Sequence, residues 1–483
     1  MQRLRPLAAI AAGALALWLA LPAYVNYDTA WSLVWGGELA RGAKPSLEAL
    51  SAPTPHPLGT MLGVLLAPLG AAAGDVTTLL VLGSLAAVVW LALALGRAWF
   101  GGPAGWIAAA LALTSVPLLT TAARAYLDLP YLALVLGALL VETRRRRAGA
   151  PVLALLAVAG LWRPEAWLFS AAYWLWSAPG RPRGEAARLA ALVVAAPLAW
   201  LVGDLVLAGD PLHSFTWTRD QAAVLGRARG PGALRTALPD KLAHAAGLPV
   251  LVAGTAGLAL LLRRRPRDGG GLAAAALGAA LVTAATLTAV GMPVVERYLL
   301  LPVVLLIVLA AGAAGEACMS LRARVAAASK FDSPGYPQPG RGATPGRPVA
   351  IRLVLGAAML VLLAASVPTR LSEVAARRGD LAAQATLRAD LRALADRGAL
   401  PAGCDRVAAS NHKLIPLLAL WTGRAPASFT TVGAAEAYVE PANATARRTL
   451  LFASSDPPEP TPPSPTGAVE VAHNGAWRVE ARC

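Results

Sequence analysis

Apolar runs long enough to cross a lipid bilayer recur along most of this chain, and no other feature limits its fold so strongly. A helix needs roughly 20 apolar residues to span the hydrocarbon. The stretch "PLAAIAAGALALWLALPAY", residues 6–24, is the first of many near that length, all rich in Ala, Leu and Val. Period-two alternation is absent, so the runs read as helices rather than barrel strands. With 57% hydrophobic and only 14% charged residues over 483 positions, the chain is too apolar to be soluble. It reads as an all-α polytopic membrane protein. Spans are predicted near residues 6–24, 76–96, 104–121, 129–142, 151–162, 166–177, 187–208, 247–262, 271–291, 298–315 and 350–367, eleven in all. The first follows Arg3 and Arg5 and also fits a secretory signal; its length and the residues after it favour an uncleaved span.

Residues 57–74, "PLGTMLGVLLAPLGAAAG", are apolar but studded with Gly and Pro, and counting them as a span would invert everything downstream. Short cytoplasmic loops collect Lys and Arg. If residues 57–74 are re-entrant or interfacial, the blocks Arg144 to Arg147, Arg263 to Arg267 and Arg322 with Arg324 all fall inside, and nearly all of the +16 net charge becomes cytoplasmic. The charge therefore reads as membrane orientation and not as a nucleic-acid surface. On this topology the N-terminus is cytoplasmic. The loop 25–57, the "ARAYLDLP" turn, the loop 209–246, the "MPVVERY" turn and the C-terminus face outward, while the Pro/Gly-rich stretch within 316–349 is a cytoplasmic linker.

Residues 1–369 then form the membrane domain, and residues 370–483 are polar enough for a small extracytoplasmic α/β domain. Leu387, Leu391 and Leu394 mark a helix face ending at Gly398. "CDRVAAS" reads as a strand, "HKLIPLLALWTG" as a helix, "RRTLLFAS" as a strand, and "HNGAW" as a hairpin turn. Three cysteines rule out a disulfide-rich scaffold and a Cys-based zinc site. Cys404 opens a strand and Cys483 ends the chain, both in a compartment that permits a disulfide between them.

Asp28 is the first acidic residue of the chain, set just beyond the first span in "NYDTAWSLVWGGELARG". It suits an N-cap of the short helix that follows, whose Trp31 and Trp35 suit a membrane interface. Asp128 in "RAYLDLPYLALVL" sits at a second outward mouth. A carboxylate beside hydrocarbon costs several kcal/mol unless hydrated or paired, so two of them at mouths point to function. Arg297 in "VERYLLLP" is the best phosphate clamp, because a guanidinium grips phosphate oxygens in a fork; its structural alternative is a salt bridge with Glu296. Arg163 and Glu165 in "LWRPEAW" either neutralise each other or contact a ligand. His56 in "PTPHPL", with His213 and Arg219 in the 209–246 loop, complete the candidate ligand contacts.

Taken in order, "NYDTAWSLVWGGELARG", "PTPHPLGTMLGVLLAPLG", "RAYLDLPYLALVL", "GLWRPEAWL", "VERYLLLPVVLL" and "NHKLIPLLALWTGRAP" resemble the GT-C superfamily of polytopic glycosyltransferases, such as the aminoarabinose transferases and protein mannosyltransferases. The resemblance implies a membrane lipid partner, a polyprenyl-phosphate sugar donor, and a glycan, lipid or protein acceptor. It makes Asp28 the general base and Asp128 the second-loop acid. Many members carry two adjacent acids in the first loop, whereas Thr29 follows Asp28 here, which leaves open both a divalent metal ion as cofactor and activity itself. Transfer by single displacement needs only one base, which favours inversion. A transporter or flippase, with the "RPEAW" break as its strongest feature, is the alternative in another class, and an inactive scaffold is the third.

Overall fold

A computed structural model describes residues 5–49, 52–264, 269–331, 347–451 and 466–483, with side chains left out of account at Arg5, 317–331, 347–352 and Leu451. Most of the linker expected within 316–349, and Cys318, lie outside the residues or side chains described. Each of the eleven apolar runs is helical, from Arg5–Ala20 through Ala73–Phe100, Asp128–Arg144 and Arg183–Ala208 to Leu300–Phe331 and Arg347–Ala365. Five described helices are long and apolar enough to cross a membrane, or up to seven if each bent pair is one span; the remaining runs form shorter helices of the same bundle. The predicted span 104–121 is one of the bent pairs. It breaks at Thr114 into Gly102–Leu113 and Val116–Ala123, inclined by 54°, with Pro117 in the first turn of the second piece.

The uncertain stretch becomes a ten-residue helix, Pro57–Leu66, too short to cross alone, which runs through a 3₁₀ turn kinked at Gly70 into the Ala73–Phe100 helix. It packs against Tyr27–Ala40 through glycines: a Cβ on Gly36 would lie 2.2 Å from the Gly63 carbonyl carbon. Only paired glycines allow two helix backbones this close.

Trp31 and Trp35, expected at a membrane interface, are instead fully buried and stacked at 5.4 Å. Their helix lies between the bundle and the C-terminal unit, where they share a core with Leu387, Ile415 and Leu418. The N-cap is Asn26, not Asp28: its side chain accepts from the Thr29 amide at 3.1 Å.

After the last apolar helix, Val367–Asp396 carries a five-stranded sheet of order β2-β1-β3-β5-β4. The strands are β1 (Val407–Ala409), β2 (Phe429–Thr430), β3 (Ala437–Pro441), β4 (Val469–His473) and β5 (Trp477–Ala481). β1 runs parallel to β2 and β3, while β3, β5 and β4 are antiparallel, with β4 and β5 forming the expected hairpin. Trp477 is wholly buried, and its Nε1 donates to the Leu387 carbonyl at 2.7 Å, locking sheet to helix. The predicted strand "RRTLLFAS" is corrected: Ala444–Leu451 is a helix, capped by Asn443 accepting from the Ala446 amide. Ala446 and Leu450, four residues apart, are the buried face, a helical spacing that its short apolar run disguised. Cys404 and Cys483 are joined in a disulfide, Cα to Cα 5.4 Å, across 79 residues.

Candidate active site

Short polar links join the two loops that carry the first two candidate acids. The Tyr24 amide donates to the Ala123 carbonyl at 2.7 Å and the Asn26 amide to the Arg124 carbonyl at 3.1 Å. Asn26 Nδ2 repeats that contact at 2.7 Å, and the Thr29 hydroxyl donates to the Ala125 carbonyl at 2.7 Å. Thr29 is 1% exposed, so the position after Asp28 serves as a clasp between two loops. Ala125 takes a positive φ of 48° in the turn so held. The clasp sets Asp28 beside Tyr126 and directs the chain into the Asp128–Arg144 helix.

Beyond the clasp lies a cavity of about 1530 Å³ with an excess of cations, nine Lys or Arg against six Asp or Glu. Asp28 and Arg297, 269 residues apart in sequence, form an ion pair on its wall. Glu296, the alternative partner, instead lies 3.8 Å from His244. Burial works against the Asp28 charge, but the Arg297 guanidinium outweighs it and holds the carboxyl below the usual range.

A second charge cluster is built on two helix starts. Asp128 and Glu165 each open a helix, where the macrodipole favours a carboxylate. Arg163 joins them, forking onto Glu165 with Nη2 to Oε1 at 2.6 Å and pairing with Asp128 through Nη1. Both sequence readings of Arg163 and Glu165 therefore meet here: they neutralise each other and also line the cavity. Asp128 does not line it; it sits behind Arg163 as the anchor.

His56 lines the cavity with its ring edge-on to Trp200 at 5.5 Å, and its Nδ1 is buried without a hydrogen-bond partner. Burial and the nearby Arg163 charge, against the pull of Asp128, Asp28 and Glu165, lower its pKa to about 4. His213 and Arg219 are not part of the cavity wall. His213 stacks on Trp217 at 5.7 Å, and Arg219 lies against Gly291. Their helix is capped by Asp204, which accepts from the Ser214 amide at 2.8 Å and hydroxyl at 2.7 Å. Sequence reasoning missed Tyr126 and Tyr298, whose rings lie beneath Arg297 at 4.7 and 5.6 Å, and the clasp residues Asn26 and Thr29. Their signal was proximity to Asp28 and Arg297 alone.

A divalent cation does not fit this donor set. Among the described residues no three His, Cys, Asp or Glu side chains are grouped to hold one, and the three central carboxylates face guanidinium groups.

No family model matches the chain, and no curated protein matches it in sequence. Two crystal structures of ArnT from Cupriavidus metallidurans match its fold. The form bound to undecaprenyl phosphate superposes with a TM-score of 0.56 at 15% identity, covering 98% of this chain and 97% of that one. The apo form gives 0.55 at 14%, covering 100% and 98%. The chain shares the overall fold of these two structures, in its case a bundle of apolar helices, several long enough to cross a membrane, followed by a small C-terminal sheet.

Proposed function

We propose that the chain is a membrane glycosyltransferase that moves a sugar from a polyprenyl-phosphate donor to a hydroxyl acceptor on the extracytoplasmic face, with inversion. The observation that carries this reading is the Asp28–Arg297 pair on the wall of one large cavity whose margin also offers exposed apolar side chains, Leu168, Leu201 and Phe215 among them. A lipid-linked substrate requires both surfaces: apolar for the polyprenyl tail and cationic for its phosphate. The likeness to a fold solved with undecaprenyl phosphate supports the same class of ligand. In this reading the loop 25–57 and the residues from 370 onward lie outside the membrane, and residues 1–369 form the catalytic membrane domain.

The chemistry follows from the pair. Arg297 meets the donor phosphate and, in doing so, shares or releases Asp28. Asp28, ionised throughout the physiological range, then gains basicity because burial is no longer offset by a guanidinium. It takes the acceptor hydroxyl's proton as the acceptor oxygen attacks the anomeric carbon. The bond from that carbon to the phosphate oxygen breaks, and its electron pair leaves with the phosphate, whose charge Arg297 stabilises. Asp128 acts through Arg163, which it orients with Glu165.

The test is transfer of labelled sugar from polyprenyl-phosphate donors by the purified protein in lipid. Wild type should transfer, and Asp28→Asn should lose at least a hundredfold in kcat/KM while still showing a cooperative thermal unfolding transition. Vesicle flux of the substrate without covalent transfer would instead establish a transporter.

A further inference from the structure

Guanidinium groups and tyrosine rings alternate along the cavity wall. Arg163 lies over Tyr298 at 4.2 Å, Arg297 lies near both Tyr298 and Tyr126, and Arg124 lies over Tyr126 at 5.1 Å. Arg388, from the Val367–Asp396 helix, extends the row over Tyr24 at 4.2 Å. Charge is unevenly balanced along it. Arg163 meets Asp128 and Glu165, and Arg297 meets Asp28. Arg124 and Arg388 both line the cavity, yet among the described residues neither has a carboxylate in ion-pair range. The Nε of each is buried with no hydrogen-bond partner.

Their direct hydrogen bonds and ring contacts are with neutral groups, although the Asp28 and Arg297 charges reach Arg124. Beyond the tyrosine rings, Arg388 Nη1 donates to the Gln384 carbonyl and Oε1 at 3.1 and 3.2 Å, and Tyr24 donates to the same Oε1 at 2.8 Å. Cation–π contacts of this kind are worth about 0.5–2 kcal/mol each. A desolvated, unpaired charge costs several kcal/mol, so at Arg388 these rings compensate only part of it. Burial accordingly pulls the Arg388 pKa below its usual value, whereas at Arg124 burial is outweighed by Tyr126, Tyr24 and the nearby Asp28 charge, which raise it. Two guanidinium groups with unused N–H donors, on separate elements facing one cavity, form a receptor for an anion.

We propose that Arg124 and Arg388 form an anion-binding subsite distinct from the Asp28–Arg297 pair, which holds a phosphate or carboxylate group of an anionic acceptor. The subsite rests on geometry alone, whereas the word acceptor rests on the transferase reading. An acceptor hydroxyl must lie at Asp28, so a charged group elsewhere on the same molecule would lie farther along the row. Arg388 stands there, on the helix that carries the C-terminal sheet. Arg124 and Arg297 share the Tyr126 ring, at 5.1 and 4.7 Å from its centroid, so the subsite adjoins the Asp28–Arg297 pair without including it.

The experiment uses the full chain in lipid nanodiscs, with thermal unfolding followed against inorganic phosphate and, separately, acetate at constant ionic strength. At least one anion should raise the midpoint of the wild type and of Arg297→Gln at millimolar concentration. The double variant Arg124→Gln/Arg388→Gln should need at least tenfold more. Phosphate alone assigns a phosphate-bearing acceptor and acetate alone a carboxylate-bearing one. If the double variant does not fold, Arg388→Gln by itself should weaken the response several-fold and Arg388→Lys should restore it. Stabilisation equal in wild type and variant, no response to either anion, or displacement of the anion by undecaprenyl phosphate overturns the subsite. In transfer assays the double variant should raise the KM of an anionic acceptor at least tenfold and leave the donor KM unchanged. Anion binding by a wild type that transfers no sugar would preserve the subsite and refute the transferase reading.

Discussion

Asp28 shows how two opposing forces tune one carboxylate. Burial raises its pKa and the Arg297 guanidinium, with help from Arg227 and His56, holds it below the usual value, so replacing the guanidinium moves it upward. Arg297→Gln should move the acidic limb of the pH profile of kcat/KM for transfer to higher pH and raise the donor KM, because the same change removes the phosphate clamp. His56 makes a separate prediction. Its folded pKa of about 4 lies below the ordinary 6.5, so the unfolded chain binds the extra proton across that interval. Its contribution to stability is complete above pH 6.5 and falls away as pH drops toward 4. Wild type should therefore lose more of its unfolding midpoint between pH 6.5 and 4 than His56→Gln does, as read by thermal scans at matched ionic strength. These residues were visible in the sequence as charged or titratable groups at loop mouths. Their partners were not, because pairing across hundreds of residues leaves no local pattern.

At the scale of elements, the position of the loop that carries Asp28 depends on how closely two short helices approach. Tyr27–Ala40 and Pro57–Leu66 meet through Gly36 and Gly63, and a Cβ on Gly63 would lie 2.4 Å from the Ser32 carbonyl oxygen. Gly36→Ala must push the helices apart or distort one of them. It should cost roughly 1–3 kcal/mol, as overpacking does, and reduce transfer further by displacing Asp28. Thermal unfolding and a single-turnover assay would separate the two effects. Long membrane helices were legible because their hydrophobicity is uniform over many turns. The Ala444–Leu451 helix was mistaken for a strand because eight residues of mixed polarity show too few turns to establish a period.

Across the whole molecule, the C-terminal unit does more than follow the bundle. Its first long helix supplies Arg377, Asp380 and Arg388 to the cavity wall, and its core incorporates the tryptophans of the first loop. The disulfide from Cys404 to Cys483 ties the last strand to the start of the sheet. Cys404→Ser/Cys483→Ser should lower the stability of this unit by about 2–5 kcal/mol. In the denatured wild type, maleimide should label one of the three cysteines without reductant and all three after reduction. Labelling of three thiols without reductant would show that the pair does not form in the cell and count against an extracytoplasmic C-terminus.

The amino-acid sequence by itself determined the membrane class, the helical runs, and a minority of the ionisable residues that line the cavity, Asp28, His56, Arg163, Glu165 and Arg297, because hydrophobicity and charge act locally and are written position by position. Only the tertiary structure decided that Asp28 faces Arg297, that Asp128 stands behind Arg163, and that His213 and Arg219 fall outside the wall. It also decided that Trp31 and Trp35 are core rather than interface. These outcomes depend on which surfaces meet when the helices pack, and a guanidinium in a low-dielectric cavity takes whichever carboxylate the packing delivers.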